Sequence, residues 1–244
     1  MGQRFLRSRN VRDKIIAAAE LLKDDTVLEV GPGDGCLTEA LAERAGRVVA
    51  VEKDARLVTL LQEKFYDVKN IKIVEGDILA TPKCFQSTLN VGRYKIVANI
   101  PYYLTSRLLR MILEAEQKPI LMVLMVQREV AERVTVKPPH MNMLALSVQT
   151  YGKIKRVARV PRGAFSPPPR VDSAIIKIFD ISDDFFKKNH VAPEHLFTLA
   201  RRAFAQKRKM LSNSLGIACD TRRPQALSLL DWIELAKTQK VRYY

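Results

Sequence analysis

The sequence predicts an α/β fold, a mostly parallel sheet covered by helices, with a small helical domain after it. Three observations predict it. Between residues 26 and 126, short apolar runs rich in Val and Ile alternate with segments of helical periodicity. The first run, T-V-L-E-V (26–30), passes straight into a glycine loop, G-P-G-D-G (31–35), and then into a helical segment. Near residues 182–189 the composition turns polar, and the remainder reads as helical.

Each element has its own reason. Val11, Ile15, Ile16, Ala19 and Leu22 recur at helical spacing, which predicts a helix over 10–23 with Asn10 as its N-cap. Strands are expected at 26–30, 47–51, 71–74, 94–98 and 120–126, with helices at 36–45, 54–65 and 105–115 between them. Helices at 127–135 and 142–150 follow. Two extended segments, 153–160 and 173–179, flank F-S-P-P-P-R (165–170), where three prolines forbid helix. A late antiparallel hairpin on the parallel sheet fits them. Helical segments at 194–214 and 224–239 complete the chain, and the domain boundary is expected at 181/182, giving domains 1–181 and 182–244.

The 244 residues carry 41 Lys and Arg against 26 Asp and Glu, a net charge of +15 with 47% hydrophobic residues. That balance excludes a disordered tail, a collagen or a membrane channel, and it favours a polyanionic partner. The excess is uneven: +3 over 1–24, zero over 25–120, +6 over 121–180 and +6 over 181–244. A neutral stretch suited to a small molecule is thus flanked by basic ones. Cys36, Cys84 and Cys219 form no C-x-x-C, and His140, His190 and His195 form no ligand pair, so neither a disulfide framework nor a metal site is expected. The opening MGQRFLRSRN leads into no apolar h-region, and the longest apolar run, 119–126, is too short to span a bilayer. A cytoplasmic protein without export signal or membrane span is expected.

The glycine loop is the first candidate site. Gly31, Gly33 and Gly35 let backbone approach a ligand that a Cβ would exclude. Glu52 ends the next strand, 21 residues after Gly31, where a carboxylate accepts hydrogen bonds from both hydroxyls of an adenosine ribose. The spacing G-x-G-x-G departs from the dinucleotide pattern, and Glu29 and Asp34 are a poor setting for a pyrophosphate. Carboxylates suit a cation, and S-adenosylmethionine carries a sulfonium and an ammonium. Asp77, in E-G-D-I, then stands where an adenine amine needs an acceptor. The bland alternative is a tight strand-to-helix turn.

The fourth strand ends in A-N-I-P-Y (98–102), at the carboxyl edge of the sheet where ligands bind. The side-chain oxygen of Asn99 and the carbonyl of Ile100, held extended before Pro101, both accept hydrogen bonds from one exocyclic amine. Tyr102 offers a flat face for a base. Phe165, fixed by the proline turn, is expected on the base's other face.

With G-Q-x-F-L (2–6), E-V-G-P-G-D-G-C-L-T (29–38), V-E-K-D (51–54), E-G-D-I (75–78), N-I-P-Y (99–102), F-S-P-P-P-R-V-D-S (165–173) and A-F-A-Q-K-R-K-M-L-S-N-S-L-G (203–216), the sequence resembles the small-subunit (16S) ribosomal RNA adenine N6,N6-dimethyltransferases, the KsgA family. The motifs occur in family order over essentially the whole chain. The resemblance implies a Rossmann-like S-adenosylmethionine-dependent methyltransferase sheet with a small helical C-terminal domain. It also implies dimethylation of two adjacent adenosines near the 3′ end of 16S rRNA within an assembling small ribosomal subunit, hence a role in rRNA processing and ribosome biogenesis. Carried over by position, Gly31, Glu52, Asp77 and Asn99 bind the cofactor, with Arg4 and Leu6 closing over it. Arg4 stands where the family usually has Asn or His.

The basic run R-R-A-F-A-Q-K-R-K places Arg201, Arg202, Lys207, Arg208 and Lys209 on one expected helix, either a solvated face or a phosphate-binding surface. Other readings are a 23S rRNA adenine methyltransferase of the macrolide-resistance type, a non-enzymatic ribosome-assembly factor and, more distantly, a nicotinamide oxidoreductase. Met122, Met125, Met141, Met143 and Trp232 are read as packing residues, and the chain as a monomer.

Overall fold

A computed structural model describes residues 4–80, 92–217 and 220–239. Cys84 and Cys219 lie outside them. Packing divides the chain into two compact units, Met1–Ala131 with Ile154–Ile181, and Glu132–Lys153 with Ser182–Tyr244. The chain passes between the units at 131/132, 153/154 and 181/182, so residues 132–153 group with the C-terminal helices rather than with the sheet. Their side chains make the reason visible: Tyr151 packs its ring 5.1 Å from Phe186 and 6.0 Å from Phe197.

The first unit is built on strands β1 (Phe5–Leu6), β2 (Thr26–Val30), β3 (Arg47–Glu52), β4 (Ile71–Glu75), β5 (Lys95–Asn99), β6 (Leu121–Gln127), β7 (Lys153–Val160), β8 (Phe165–Ser166) and β9 (Ser173–Phe179). The main sheet has the order β4-β3-β2-β5-β6-β9-β7. From β4 to β6 the strands are parallel, and β9 returns antiparallel to β6 with Met125 opposite Ile175. The chain order reverses between β2 and β5, which opens a crevice at the carboxyl ends of those strands. Its central strands read as continuous apolar runs because they are buried on both faces: Met122 to Val126 are fully inaccessible.

Helices α1 (Arg9–Ala19), α2 (Cys36–Ala42), α3 (Ala55–Lys64) and α4 (Thr105–Leu113) join the strands. Ile15 and Ala19 of α1 and Leu41 of α2 pack with Val27, Val97, Val123 and Ile175 in one core. The N-cap of α1 is Ser8, not the expected Asn10: the Ser8 hydroxyl accepts from the Val11 amide, and Arg9 already opens the helix. A separate two-stranded clasp pairs β1 with β8, placing Leu6 opposite Phe165. It ties the amino-terminal segment to the proline turn, a contact between residues 159 apart.

In the second unit lie α5 (Arg128–Thr135, which begins in the first), α6 (Met143–Gln149), α7 (Asp184–Asn189), α8 (Pro193–Ala205), α9 (Leu211–Leu215) and α10 (Leu229–Thr238). Trp232 is fully buried with its ring 5.5 Å from Phe204. The single helix expected over 194–214 is broken. Leu196, Phe197, Leu199, Ala200 and Ala203 are buried, whereas every residue from Ala205 to Met210 is exposed, so no packing rewards continued helix there. The helix expected over 224–239 also starts late, at Leu229, because Ser228 and Asp231 form a reciprocal capping box.

Candidate functional site

The carboxyl ends of β2, β3, β4 and β5 surround a cavity of about 770 Å³. Each wall follows from local structure. Gly31, with φ +70°, turns the chain out of β2 while its amide donates to the Val51 carbonyl at 2.9 Å. Pro101 Cδ stands 3.6 Å from where a Gly31 Cβ would be, so the glycine loop and the N-I-P-Y loop lie against one another. Glu52 closes β3 and is shaped by backbone: Oε1 accepts from the Lys53 and Asp54 amides at 2.8 and 3.0 Å, and Oε2 from the Gly33 amide at 3.3 Å. A carboxylate offers about four acceptor positions, so one remains on a residue that lines the cavity. Asp77 accepts from Leu79 N and from Lys53 Nζ, both at 2.9 Å; the Lys53 ammonium and then that amide hold its carboxyl below the usual range.

Glu29 is the unusual group. It is 1% exposed, and its Oε2 has no hydrogen-bond partner. Burial pushes its carboxyl up to about 8; the neighbouring Thr38 hydroxyl opposes the shift, and Glu52 and Asp34 add to it. The Thr38 hydroxyl is itself buried without a well-formed hydrogen bond, so desolvation decides. Asp34, read from the sequence as part of the acidic setting, is occupied: it pairs with Arg7 at 2.8 Å and accepts from the Cys36 amide at the start of α2.

Beyond β5, Asn99 is half-buried and Ile100 is buried, its amide donating to the Met125 carbonyl. Residues Tyr102–Leu104 make one 3₁₀ turn leading into α4. The Tyr102 hydroxyl lies 2.6 Å from Ser173 Oγ, which is fully buried on β9. The Arg4 guanidinium sits 5.8 Å from the centre of the Tyr102 ring.

Of the residues singled out from the sequence, Arg4, Leu6, Glu29, Gly31, Gly33, Glu52, Asp77, Asn99, Ile100, Pro101, Tyr102 and Phe165 all line this one cavity. Gly35 does not. Its φ is +78°, and an added Cβ would stand 2.7 Å from Phe65 and 2.8 Å from Leu61, so it is glycine for helix packing and not for a ligand. Phe165 is 5% exposed and forms wall and core together. The basic cluster is also rearranged: Arg201 and Arg202 are on α8, but Lys207, Arg208 and Lys209 lie past its end, so the five do not share a helix. All five are exposed. Sequence reasoning missed Lys53, Tyr103 and Ser173. Lys53 and Ser173 had a signal, their places in V-E-K-D and V-D-S; Tyr103 had none.

A glycine-loop α/β sheet with an acid-lined crevice and an N-I-P-Y loop beside it defines an S-adenosylmethionine-dependent methyltransferase. A family model described as ribosomal RNA adenine dimethylase matches residues 1–243, and the chain belongs to that family. It is 47% identical over 231 residues to a protein of Dehalococcoides mccartyi named ribosomal RNA small subunit methyltransferase A, covering 95% of this chain and 78% of that one. A protein of the same name from Halothermothrix orenii is 40% identical, covering 88% and 72%. Among solved structures, a dimethyladenosine transferase from Plasmodium falciparum superposes with TM-score 0.80 at 26% identity, covering 95% of both chains. The 23S rRNA methyltransferase ErmE gives 0.71 at 26%, covering 96% and 100%.

Proposed function

We propose that this chain dimethylates the N6 amines of two adjacent adenosines near the 3′ end of 16S rRNA, as a monomer acting on an assembling small subunit in the cytoplasm. The observation that carries the reading is the juxtaposition of the Asn99–Tyr102 loop with an acid-lined, glycine-floored cavity. S-adenosylmethionine fits that cavity: a buried carboxyl with an orphaned oxygen, Glu29, faces a ligand that carries positive charge. When bound, the cofactor supplies an electrophilic methyl group.

The chain's own residues do the rest. Glu52 offers its remaining acceptor position to a ribose hydroxyl, and Asp77 accepts from the cofactor's adenine amine. Gly31 and Gly33 admit its methionine end next to Glu29, and Leu6 and Arg4 close the amino-terminal side. The target amine is a weak nucleophile because its lone pair is delocalised into the ring. Its two N–H groups donate to the Asn99 side-chain oxygen and the Ile100 carbonyl, which localises the lone pair and aims it into the cavity. Tyr102, braced by Ser173, stacks on the base, and such stacking is worth about 1–3 kcal/mol per base. Positioning of this kind supplies roughly 7–11 kcal/mol in well-oriented reactions. No strong base is needed: the nitrogen becomes acidic only once methylated, and water at the cavity mouth takes the proton. Arg201, Arg202, Lys207, Arg208 and Lys209 contact phosphates.

The likeness to ErmE makes a large-subunit substrate the second reading; the small-subunit names of the relatives above 37% identity favour the first. Incubation with radiolabelled S-adenosylmethionine and under-methylated small subunits, with large subunits in parallel, decides between them. Dimethyladenosine in small-subunit RNA alone is expected. Label in the large subunit reverses the assignment, and binding without label makes the chain an assembly factor.

A further inference from the structure

The +6 of residues 121–180 has a focus. From Ile154 to Val171 there are five basic residues and no acidic one: Lys155, Arg156, Arg159, Arg162 and Arg170. All five are exposed. Lys155, Arg156 and Arg159 ride on β7, the terminal strand of the seven-stranded sheet, and Val157 between them is exposed as well.

We propose that this basic edge, continuing through the turn to Arg170, is an RNA-docking surface on the sheet unit itself, binding the phosphate backbone of the strand whose base enters the cavity beside Phe165. The inference rests on the methyltransferase reading above and names a surface that it does not use.

Chain continuity carries the argument. Lys155 to Arg159 spans about 13 Å of strand. After Val160 a 3₁₀ turn, Arg162–Ala164, leads directly to Phe165, which pairs with Leu6 and lines the cavity. The Arg7 amide donates to the Ala164 carbonyl at 2.8 Å, fixing the turn against the amino-terminal clasp. The cations therefore lie along one stretch of chain that runs up to the cavity wall at Phe165 and past it to Arg170, within one unit. Asp172 anchors the track without cancelling it. It accepts from Arg159 Nε and Nη2 at 3.1 and 2.7 Å and from the Arg162 amide at 3.1 Å, while the Arg159 side chain remains 69% exposed. Lys155 Nζ lies 5.8 Å from the Phe179 ring centre.

Charges on an edge strand also block unwanted pairing with other chains. That need is met by one or two charges of either sign and ends where the strand ends. Here all five have one sign, and two of them, Arg162 and Arg170, lie beyond β7. A phosphate track explains the sign and the extent together.

The test is the triple variant Lys155→Gln, Arg156→Gln, Arg170→Gln, which spares Arg159 and its Asp172 anchor. Binding to purified small subunits is measured by filter retention across a salt series, alongside steady-state methylation and S-adenosylhomocysteine affinity. The expected result is a salt slope reduced by about 2–3, at roughly 0.7–0.9 per lost phosphate contact. The KM for the subunit should rise about tenfold or more with kcat and S-adenosylhomocysteine affinity unchanged. An unchanged slope and KM overturn the proposal. Self-association of the variant in sedimentation, with RNA binding intact, overturns it in favour of edge protection. The binding arm needs no turnover: a parent protein that binds small subunits in a salt-dependent way without methylating them sinks the enzymatic reading and leaves the docking surface standing.

Discussion

Strand β2 has an acid at each end, and the two ends of the sheet treat their charges in opposite ways. At the amino end, Asp25 accepts from Lys95 Nζ at 2.7 Å, and the same ammonium donates to the Glu20 carbonyl at 2.6 Å. Lys177, 5% exposed, pairs with Glu20 at 2.6 Å. Every buried cation there is matched. At the carboxyl end Glu29 is equally buried and has an oxygen with no partner, while Glu52 and Asp77 are held by backbone amides. A fold that satisfies its buried polar groups at one end and leaves one unmatched at the other marks the second end as the place for a ligand.

The largest effect belongs to the satisfied end. Lys95→Met removes a side chain that is 8% exposed and takes from Asp25 its ammonium partner, leaving the Leu22 amide at 2.7 Å. Breaking a buried pair costs about 3–5 kcal/mol, read as a lower urea midpoint. Methylation per folded molecule should not change; a large loss would mean that the two ends are coupled. Asn99→Ala is the mirror image. It should leave the urea midpoint in place and lower kcat by about 10²-fold or more, the usual cost of losing one preorganised hydrogen-bonding group. RNA affinity should be unaffected, and normal turnover would remove the amine-positioning role.

Sequence made the carboxyl end legible and the rest less so, for a physical reason. Glycine spacing, an acid at a strand end and N-I-P-Y are local signals, and topology brings them together without further help. The Tyr102–Ser173 contact joins residues 71 apart and depends on β9 returning beside β6. The β1–β8 clasp consists of two residues on each side, too short for any periodicity. Gly35 shares a motif with Gly31, yet its neighbours Leu61 and Phe65 come from α3, so only packing separates a ligand glycine from a helix-packing one. The break after Ala205 was readable in principle, because no apolar residue lies from Gln206 to Lys209.

Glu29→Gln probes the unmatched acid by pH. In the unfolded chain this carboxyl ionises near 4.5, and in the fold it keeps its proton to about 8. Between those values the unfolded state binds fewer protons, so the contribution to stability is full below about 4.5 and is lost as pH rises towards about 8. The variant should lack that slope and match or exceed the parent's stability at pH 8. A bound cation favours the ionised acid, so S-adenosylmethionine affinity in the parent should rise by up to about tenfold per pH unit approaching pH 8, with proton release seen by calorimetry in two buffers. S-adenosylhomocysteine, whose sulfur is neutral, should show a shallower rise. Equal slopes for both ligands would place Glu29 away from the sulfonium.

The smallest effect comes from Lys53→Met, chemically the same substitution as Lys95→Met. Both lysines meet an aspartate, at 2.9 Å for Asp77 and 2.7 Å for Asp25, so geometry hardly distinguishes them. Exposure does: the Lys53 side chain is 70% accessible against 8% for Lys95. An exposed pair gains little over water, so the urea midpoint should stay where it is. Removing Lys53 also takes a competing donor from Asp77 Oδ2, and S-adenosylhomocysteine should bind a few-fold tighter by calorimetry. Tighter binding with unchanged stability would separate the two ends of the sheet by a single kind of substitution. A lowered midpoint would show that the carboxyl end is also held together by its ion pairs, and the contrast between a satisfied end and a receptive one would fail.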